Sequence, residues 1–250
     1  MRAPTALEKT TLLLSSLVLA GALLEAMSFW RGVKRARALA ATGRRFERRL
    51  PQRELTVLIL GDSTGVGVGA QLPEESIAGL LASDFPDADV VNVAESGARV
   101  SVAIEQARGC IQAGLHFDIA LLHVGANDIV ADTPLRSLAR DCDLLLHELG
   151  RLARRTVWLG PPDLSLAPLF PPPYSWVMGA RSRAAIRVFS TAATQHKVAF
   201  VDFSAPAHAS HFGRRRREHF AVDGFHPNSS SYKYGYAVAR RMLGLEPGQR

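Results

Sequence analysis

The sequence is poor in cysteine, with only Cys110 and Cys142 among its 250 residues. Two cysteines are too few for a disulfide framework, although a single bridge between them is not excluded. Their spacing matches no metal or redox motif. We therefore expect two small buried side chains, which is how free cysteine usually behaves in a folded core.

The larger part of the chain lacks net charge. Residues 1–50 carry ten Lys and Arg against three Asp and Glu, whereas the other 200 residues carry twenty of each. A nucleic-acid-binding domain needs positive charge on its folded surface. The distribution therefore argues against nucleic acid as a partner and assigns the basic character of the chain to its N-terminal segment.

The N-terminal segment contains the longest apolar stretch. Residues 10–24 are uncharged and mostly apolar, Glu25 interrupts them, and the apolar character resumes to Trp30 before a cluster of arginines. About 20 apolar residues suffice to span a bilayer, and positive charge after the span favours a cytoplasmic location for the rest of the chain. The segment thus predicts an uncleaved membrane anchor and favours a cytoplasmic location for the rest of the chain.

Two alternatives for this segment are open. A cleaved signal peptide would use Ala20-Gly21-Ala22 as its cleavage site and would make the protein secreted or periplasmic. An ordinary amphipathic core helix is the third interpretation. We expect two parts: an anchor or signal with a basic linker in residues 1–50, and one globular domain in residues 51–250.

The body alternates between apolar runs and segments with helical spacing. The apolar runs predict strands at residues 55–60, 88–94, 117–124, 156–159 and 198–203. The helical spacing predicts helices at residues 74–85, 100–114, 134–153, 175–196 and 229–243. Strands apolar enough to be buried on both faces predict a three-layer α/β/α fold with a doubly wound, five-stranded parallel sheet of the flavodoxin-like type. Such sheets bind ligands outside the carboxyl ends of their strands.

The first strand ends in LILGDSTGVGVGA, in which Gly65, Gly67 and Gly69 recur at every second residue. This spacing is not that of a dinucleotide fingerprint, and the lysine of a phosphate loop is absent. A dinucleotide interpretation, with Glu95 as the ribose ligand, is therefore the weaker one. Ser63, on a strand-to-helix turn, would expose its hydroxyl beside backbone N–H groups. The segment thus predicts that Ser63 is a nucleophile.

Three other loops carry polar groups suited to the same chemistry. Gly97 follows the second predicted strand, and Asn127 follows the third. A glycine N–H and an Asn amide are donors suited to an oxyanion. Asp223 and His226 precede the last helix, where the histidine can act as a general base and the carboxylate can fix its tautomer.

These motifs together resemble the SGNH (GDSL-type) hydrolases, with GDS at 61–63, GAND at 125–128 and DxxH at 223–226. The similarity extends over residues 55–243, with GDST in place of GDSL. It implies Ser63 as nucleophile, His226 as base, Asp223 as orienting acid, and an oxyanion hole formed by Ser63, Gly97 and Asn127.

The resemblance also implies the reaction. We expect a serine-dependent carboxylic ester hydrolase, esterase-like or lysophospholipase-like, that forms an acyl-enzyme on Ser63 and requires neither a metal nor an organic cofactor. One alternative is a carbohydrate O-acetyl esterase of the cell envelope. Another, from a different class, is a catalytically inactive, membrane-tethered binding protein.

Several residues near these motifs have a structural interpretation. His123, within the third predicted strand, is expected to be a core histidine with satisfied hydrogen bonds, and Asp128 is expected to brace its loop. The proline-rich residues 161–174 either form a wall of an acyl pocket or pack on the body. His208, His211 and His219 are expected to lie in a solvated loop rather than to bind zinc. The four arginines at 214–217 belong to the same loop or contact lipid headgroups or an acidic substrate.

Overall fold

The structure, a computed structural model, describes residues 6–208 and 216–245. Its α-helices are α1 (Ala6–Thr42), α2 (Ser63–Val66), α3 (Ile77–Asp84), α4 (Val100–Gln112), α5 (Ala126–Val130), α6 (Leu135–Leu152), α7 (Tyr174–Gln195) and α8 (Ser229–Leu243). Its strands are β1 (Leu55–Gly61), β2 (Ala88–Asn92), β3 (Phe117–His123), β4 (Ala153–Leu159) and β5 (Ala199–Val201). Short 3-10 helices span Pro73–Glu75, Leu164–Leu166 and Arg216–His219.

The five strands form one sheet in the order β2-β1-β3-β4-β5, and every neighbouring pair is parallel. Since successive side chains of a strand point to opposite faces, β1 contributes to two cores. Leu58 and Leu60 pack with α4, α6 and α7. Val57 and Ile59 pack with α3 and α8 on the other face. The three-layer, doubly wound parallel fold is confirmed.

The two cysteines lie on the face covered by α4 and α6. Cys110 and Cys142 are both buried and both free, which confirms the prediction of two small buried side chains. Burial raises the pKa of both thiols above the usual value for cysteine.

The order of the strands reverses between β1 and β3, which makes this pair the switch point of the sheet. From β1 the chain proceeds to β2 on one side, and it returns on the other side as β3. The connections after β1 and β3 therefore diverge and leave a crevice beyond the carboxyl ends of these two strands, where ligands bind in such sheets.

Some element boundaries differ from the predicted ones. The predicted helix at 74–85 is interrupted at Ser76, whose Oγ accepts the N–H of Gly79 at 3.2 Å and caps α3. The 3-10 turn before it is a separate element. The edge strand β5 has three residues rather than six, because it pairs only with the last residues of β4.

The region after α1 is attached to the body. Arg48 exchanges two backbone hydrogen bonds with Val90, at 3.0 and 2.7 Å, along the free edge of β2. Its guanidinium donates to three carbonyl oxygens, those of Ala82, Phe85 and Ala88. Near the end of α1, Leu39 packs against a small apolar cluster that includes residues of the turn after β1. The division of the chain at residue 50 stays a prediction.

The middle of α1 leaves apolar side chains exposed. Among the described side chains there, the large apolar ones that are more than half exposed are Leu19, Leu23, Leu24, Met27 and Trp30. Within the part of the chain that the structure describes, no helix has the length and apolar character needed to cross a membrane.

Candidate active site

The turn after β1 is set by contact with β3. Gly61 pairs with His123 in the sheet and has φ +120°, and a Cβ at this position would lie 1.8 Å from the His123 carbonyl oxygen. The same oxygen accepts the Asp62 N–H at 2.6 Å. Only glycine fits such a close approach. Asp62 then caps α2 by accepting the Thr64 N–H at 2.8 Å, so that Ser63 is the first residue of that helix.

Three of the predicted site residues form a continuous hydrogen-bonded series. The Oγ of Ser63 lies 2.9 Å from Nε2 of His226, and Nδ1 of His226 lies 2.5 Å from Oδ2 of Asp223. All three residues are buried. An imidazole so placed can take the hydroxyl proton while the carboxylate holds its other nitrogen.

The environment of Asp223 favours its charged form. Burial by itself would raise the pKa of this carboxyl, but the His226 side chain and the backbone N–H groups of Phe225 and His226 lower it below its usual value. A carboxylate kept ionised beside the imidazole stabilises the imidazolium that forms when His226 accepts a proton.

The glycine-rich turn brings the histidine segment close to Ser63. A Cβ at Gly69, which has φ +97°, would lie 2.2 Å from the Pro227 carbonyl oxygen and 3.2 Å from the Cβ of His226. Tyr232, in α8, donates its hydroxyl to the Val68 carbonyl oxygen at 2.8 Å. The glycines therefore permit close backbone approach within the protein.

A small cavity opens beside Ser63 and His226, with a volume of about 80 Å³. Its lining is mostly apolar, with Ile77, Val124, Ala126, Leu159, Gly160, Pro161, Pro162, Leu164, Phe203, Phe220, Phe225 and Pro227. Three of these residues come from the beginning of the proline-rich segment. That segment contributes to the wall of the cavity, and its role as the wall of an acyl pocket stays a prediction.

A hydrogen bond joins the two loops that carry Gly97 and Asn127, the remaining candidates for the oxyanion hole. Nδ2 of Asn127 donates to the Ala98 carbonyl oxygen at 3.0 Å, next to Gly97. Asp128 accepts the Val100 N–H at 3.0 Å, and it also accepts the hydroxyl of the loop residue Thr133. These bonds confirm that Asp128 braces its loop. Gly97 and Asn127 are not among the residues that line the cavity, and their oxyanion role stays a prediction.

Two buried titratable groups were not predicted at this site. Burial raises the pKa of Asp62 to about 6 and lowers the pKa of His123 to about 4. Both residues line the cavity. Within the described residues, Nε2 of His123 has no hydrogen-bond partner, so the prediction of a satisfied core histidine is wrong. Apolar neighbours in the sequence indicated burial, but they could not indicate whether a partner was present.

Aromatic rings connect α1 with His226. Phe29 stacks on Tyr174 with the ring centroids 5.0 Å apart, and Phe170 lies 6.3 Å from Phe29. Phe170 meets Phe225 edge-on at 5.9 Å, and Phe225 meets His226 edge-on at 5.1 Å. Phe170 of the proline-rich segment is thus packed between α1 and the loop that carries His226.

The histidine- and arginine-rich loop is only partly described. Nδ1 of His208 lies 2.7 Å from the Tyr234 hydroxyl. His211 and the first two arginines of 214–217 fall outside the described residues. Among the side chains that are described, no group of three His, Cys, Asp or Glu residues could hold a metal ion.

The chain is similar in sequence to one protein family and similar in fold to solved structures of several enzymes. The profile of the GDSL-like Lipase/Acylhydrolase family matches residues 59–234. No curated protein matches the chain in sequence.

Solved structures with a similar fold include three enzymes. A catalytic mutant of an acetylxylan esterase from Geobacillus stearothermophilus has a TM-score of 0.61 at 18% identity, covering 80% of this chain and 98% of that one. An alpha/beta hydrolase from the metagenome of Lake Arreo, Spain, has a TM-score of 0.61 at 18% identity, covering 78% and 97%. An inhibitor-bound aryl esterase from M. smegmatis has a TM-score of 0.56 at 19% identity, covering 77% and 100%.

The opposed pKa shifts of Asp62 and His123 predict compensating effects of pH on stability. Asp62 binds its proton more tightly in the folded state, so its contribution is complete below pH 3.8 and is lost as the pH rises to about 6. His123 binds its proton less tightly in the folded state, so its contribution is complete above pH 6.5 and is lost as the pH falls to about 4. Between about pH 4 and 6, the loss of the Asp62 contribution as the pH rises is offset by the gain of the His123 contribution. The free energy of unfolding of the wild type therefore changes little over this range.

Asp62→Asn, which keeps a capping oxygen, should therefore show a free energy of unfolding that rises by ~2 kcal/mol between pH 4 and 6 relative to the wild type. His123→Gln should show a decrease of similar size. Urea denaturation at pH 4, 5 and 6 measures both. If both variants show the pH dependence of the wild type, the protonation states assigned to the two buried groups are wrong.

Proposed function

Because the chain belongs to the GDSL-like lipase/acylhydrolase family and is therefore a hydrolase of ester bonds, we propose that it cleaves carboxylic esters through an acyl-enzyme on Ser63. The observation that carries this proposal is the buried series of hydrogen bonds from Ser63 through His226 to Asp223, beside a cavity. Such a series provides a nucleophile, a base and an orienting acid in the order that acyl transfer requires.

In the proposed mechanism, Oγ of Ser63 attacks the ester carbonyl carbon while Nε2 of His226 takes the hydroxyl proton. Asp223 stabilises the resulting imidazolium. His226 then donates that proton to the departing alcohol, which leaves the acyl group on Ser63. In the second half of the reaction, His226 takes a proton from a water molecule as its oxygen attacks the acyl carbonyl carbon. The bond from this carbon to Oγ of Ser63 then breaks, His226 returns the proton to Oγ, and the acid leaves.

Three donors are proposed for the oxyanion. The first N–H groups of a helix have no partner within it, and Ser63 begins α2. Asn127 uses one of its two amide hydrogens on the Ala98 carbonyl, which leaves the other for the oxyanion. The Gly97 N–H, in the loop tied to Asn127, is the third. Loss of one such donor typically costs about a hundredfold in rate.

The volume of the cavity bears on the size of the acyl group. Its 80 Å³ is well below the roughly 150 Å³ of an engineered cavity that accommodates benzene. We therefore propose that the enzyme prefers short acyl groups. This preference favours an O-acetyl esterase or a short-chain esterase over a lysophospholipase.

The preference can be measured with the full-length protein and 4-nitrophenyl esters from acetate to dodecanoate. We expect kcat/KM to be highest between acetate and butyrate and to fall at least tenfold by octanoate, because longer chains exceed the cavity. Ser63→Ala should lose on the order of 10⁴-fold or more, and Asn127→Ala should lose about a hundredfold in kcat.

The exposed serine of α7 provides the control, since Ser190→Ala should retain the wild-type rate. Turnover that survives Ser63→Ala would refute the proposed nucleophile. A rate that increases steadily towards dodecanoate would refute the short-chain preference and would favour a lipid ester as the substrate instead.

We also propose that the N-terminal segment attaches the enzyme to a membrane, with the body on the cytoplasmic side. The exposed Leu23, Leu24, Met27 and Trp30 support this, together with the arginines that follow them. Arginines close to an anionic bilayer contribute about 1 kcal/mol each.

Cell fractionation tests the attachment. The full-length protein should remain in the membrane pellet after an alkaline carbonate wash, and a variant with Leu23, Leu24 and Met27 all changed to Ser should be released. Recovery of the unmodified protein in the soluble fraction, or as a chain shortened by about 22 residues, would contradict an uncleaved anchor.

A further inference from the structure

Helix α1 packs close to residues 223–226, the loop that carries the proposed base and is called here the base loop. Gly32 permits a close approach, since a Cβ there would lie 2.5 Å from Cδ1 of Leu169 and 4.0 Å from the carbonyl oxygen of Asp223. The helix at the start of the chain therefore reaches the segment that holds the base.

A series of four rings forms a second route from α1 to the base loop. Phe29 of α1 lies 6.3 Å from Phe170, measured between ring centroids. Phe225 meets Phe170 at 5.9 Å and His226 at 5.1 Å. Phe29 also stacks on Tyr174 at 5.0 Å, which fixes its ring against α7. Since aromatic pairs at such separations attract each other beyond their burial, the position of Phe29 bears on that of the imidazole.

The segment between α1 and the base loop has little regular structure of its own. Pro168 and Leu169 follow the 3-10 helix Leu164–Leu166 and lie outside the helices and strands. The Leu169 N–H donates to the Gly224 carbonyl oxygen at 3.0 Å, and a Cβ on Gly224 would lie 3.1 Å from Cβ of Pro168. Because the hydrogen bonds of a helix or sheet do not fix this segment, its contact with α1 contributes to its position against the base loop.

We propose that Phe29 is a positioning residue of the active site, which holds the base loop, through Phe170, at the distance from Ser63 that proton transfer requires. This inference rests on the proposed esterase function and assigns α1 a part in it. The distance from Oγ of Ser63 to Nε2 of His226 is 2.9 Å, and a misplacement of about 1 Å can cost about a hundredfold in rate. Phe29 is not among the residues that line the cavity, so it acts through His226 and not by contact with the substrate.

The exposed face of α1 is separate from this contact. Leu23 and Trp30 are more than half exposed, whereas Phe29 and Gly32 face the body. The same helix can therefore attach to a membrane and support the base loop at once.

The test measures catalysis per active site in the full-length protein, solubilised in a nonionic detergent. The enzymes are the wild type, Phe29→Ala and Phe29→Leu, and the substrate is 4-nitrophenyl acetate. Diethyl 4-nitrophenyl phosphate, which phosphorylates an activated serine and releases 4-nitrophenol, counts the active sites. We expect Phe29→Ala to lower kcat about tenfold with KM little changed, because the base is misplaced while most of the cavity wall is unchanged. Phe29→Leu, which retains most of the apolar volume, should recover most of kcat.

A double variant tests the route of the effect. In a His226→Ala background, where residual rates are compared per chain, Phe29→Ala should cost nothing further, because no imidazole is left to position. A general loss of stability would instead lower the rate in both backgrounds. Leu19→Ala, a similar truncation on the exposed face of the same helix, is the matched control and should retain the wild-type kcat.

The outcomes distinguish this inference from the function on which it rests. An unchanged kcat per active site in Phe29→Ala would overturn the inference. A smaller number of active sites that each work at the wild-type rate would also overturn it, since that result shows only partial unfolding, and so would an equal loss in the His226→Ala background. If the wild type shows no turnover that depends on Ser63, the esterase function itself fails and the inference falls with it.

Discussion

The close pairing of β1 and β3 at their carboxyl ends is the contact on which the site depends. The carbonyl oxygen of His123 occupies the place where a side chain on Gly61 would be, and it accepts the N–H of Asp62. This contact fixes the start of α2 and therefore the position of Ser63. The sheet order then directs the connections after β1 and β3 to opposite sides, which leaves the crevice that the cavity occupies.

The second half of the site comes from a segment 163 residues further along the chain. Its position is fixed by backbone contact at Gly69, by the hydroxyl of Tyr232 on the Val68 carbonyl, and by the bond from the Leu169 N–H to the Gly224 carbonyl. These contacts lie on both sides of His226. Since the proposed chemistry requires the position of the imidazole relative to Ser63 to be held to within a fraction of an ångström, it requires rigid support of this kind from two directions.

Much of the fold and of the site could be predicted from sequence, because the signals there are local. Buried strands appear as apolar runs, and because such sheets bind ligands beyond the carboxyl ends of their strands, the polar residues that follow the strands, such as Ser63 and Asn127, are the candidates for the site. Features that depend on distant neighbours could not be predicted. The sequence around His123 indicated burial but not the missing partner, and nothing in the basic linker indicated that Arg48 pairs with the edge of β2.

The site combines groups that favour folding with groups that oppose it. Asp223 is ionised and well hydrogen-bonded, whereas Asp62 and His123 are buried at a cost and line the same cavity as Ser63. Protein sites often retain such costs where they bind or transform a ligand. Here the cost is concentrated at the ends of β1 and β3, beside the cavity that Ser63 and His226 line.

The most direct test of the central claim, that His226 and Asp223 activate Ser63, is covalent labelling with diethyl 4-nitrophenyl phosphate followed by mass spectrometry. A single diethylphosphoryl adduct should form on the peptide that contains Ser63, with release of one equivalent of 4-nitrophenol, and the labelling rate should fall on the order of 10³-fold or more in His226→Ala. An adduct on a different residue, or an unchanged labelling rate in His226→Ala, would contradict the assignment of the nucleophile and its base.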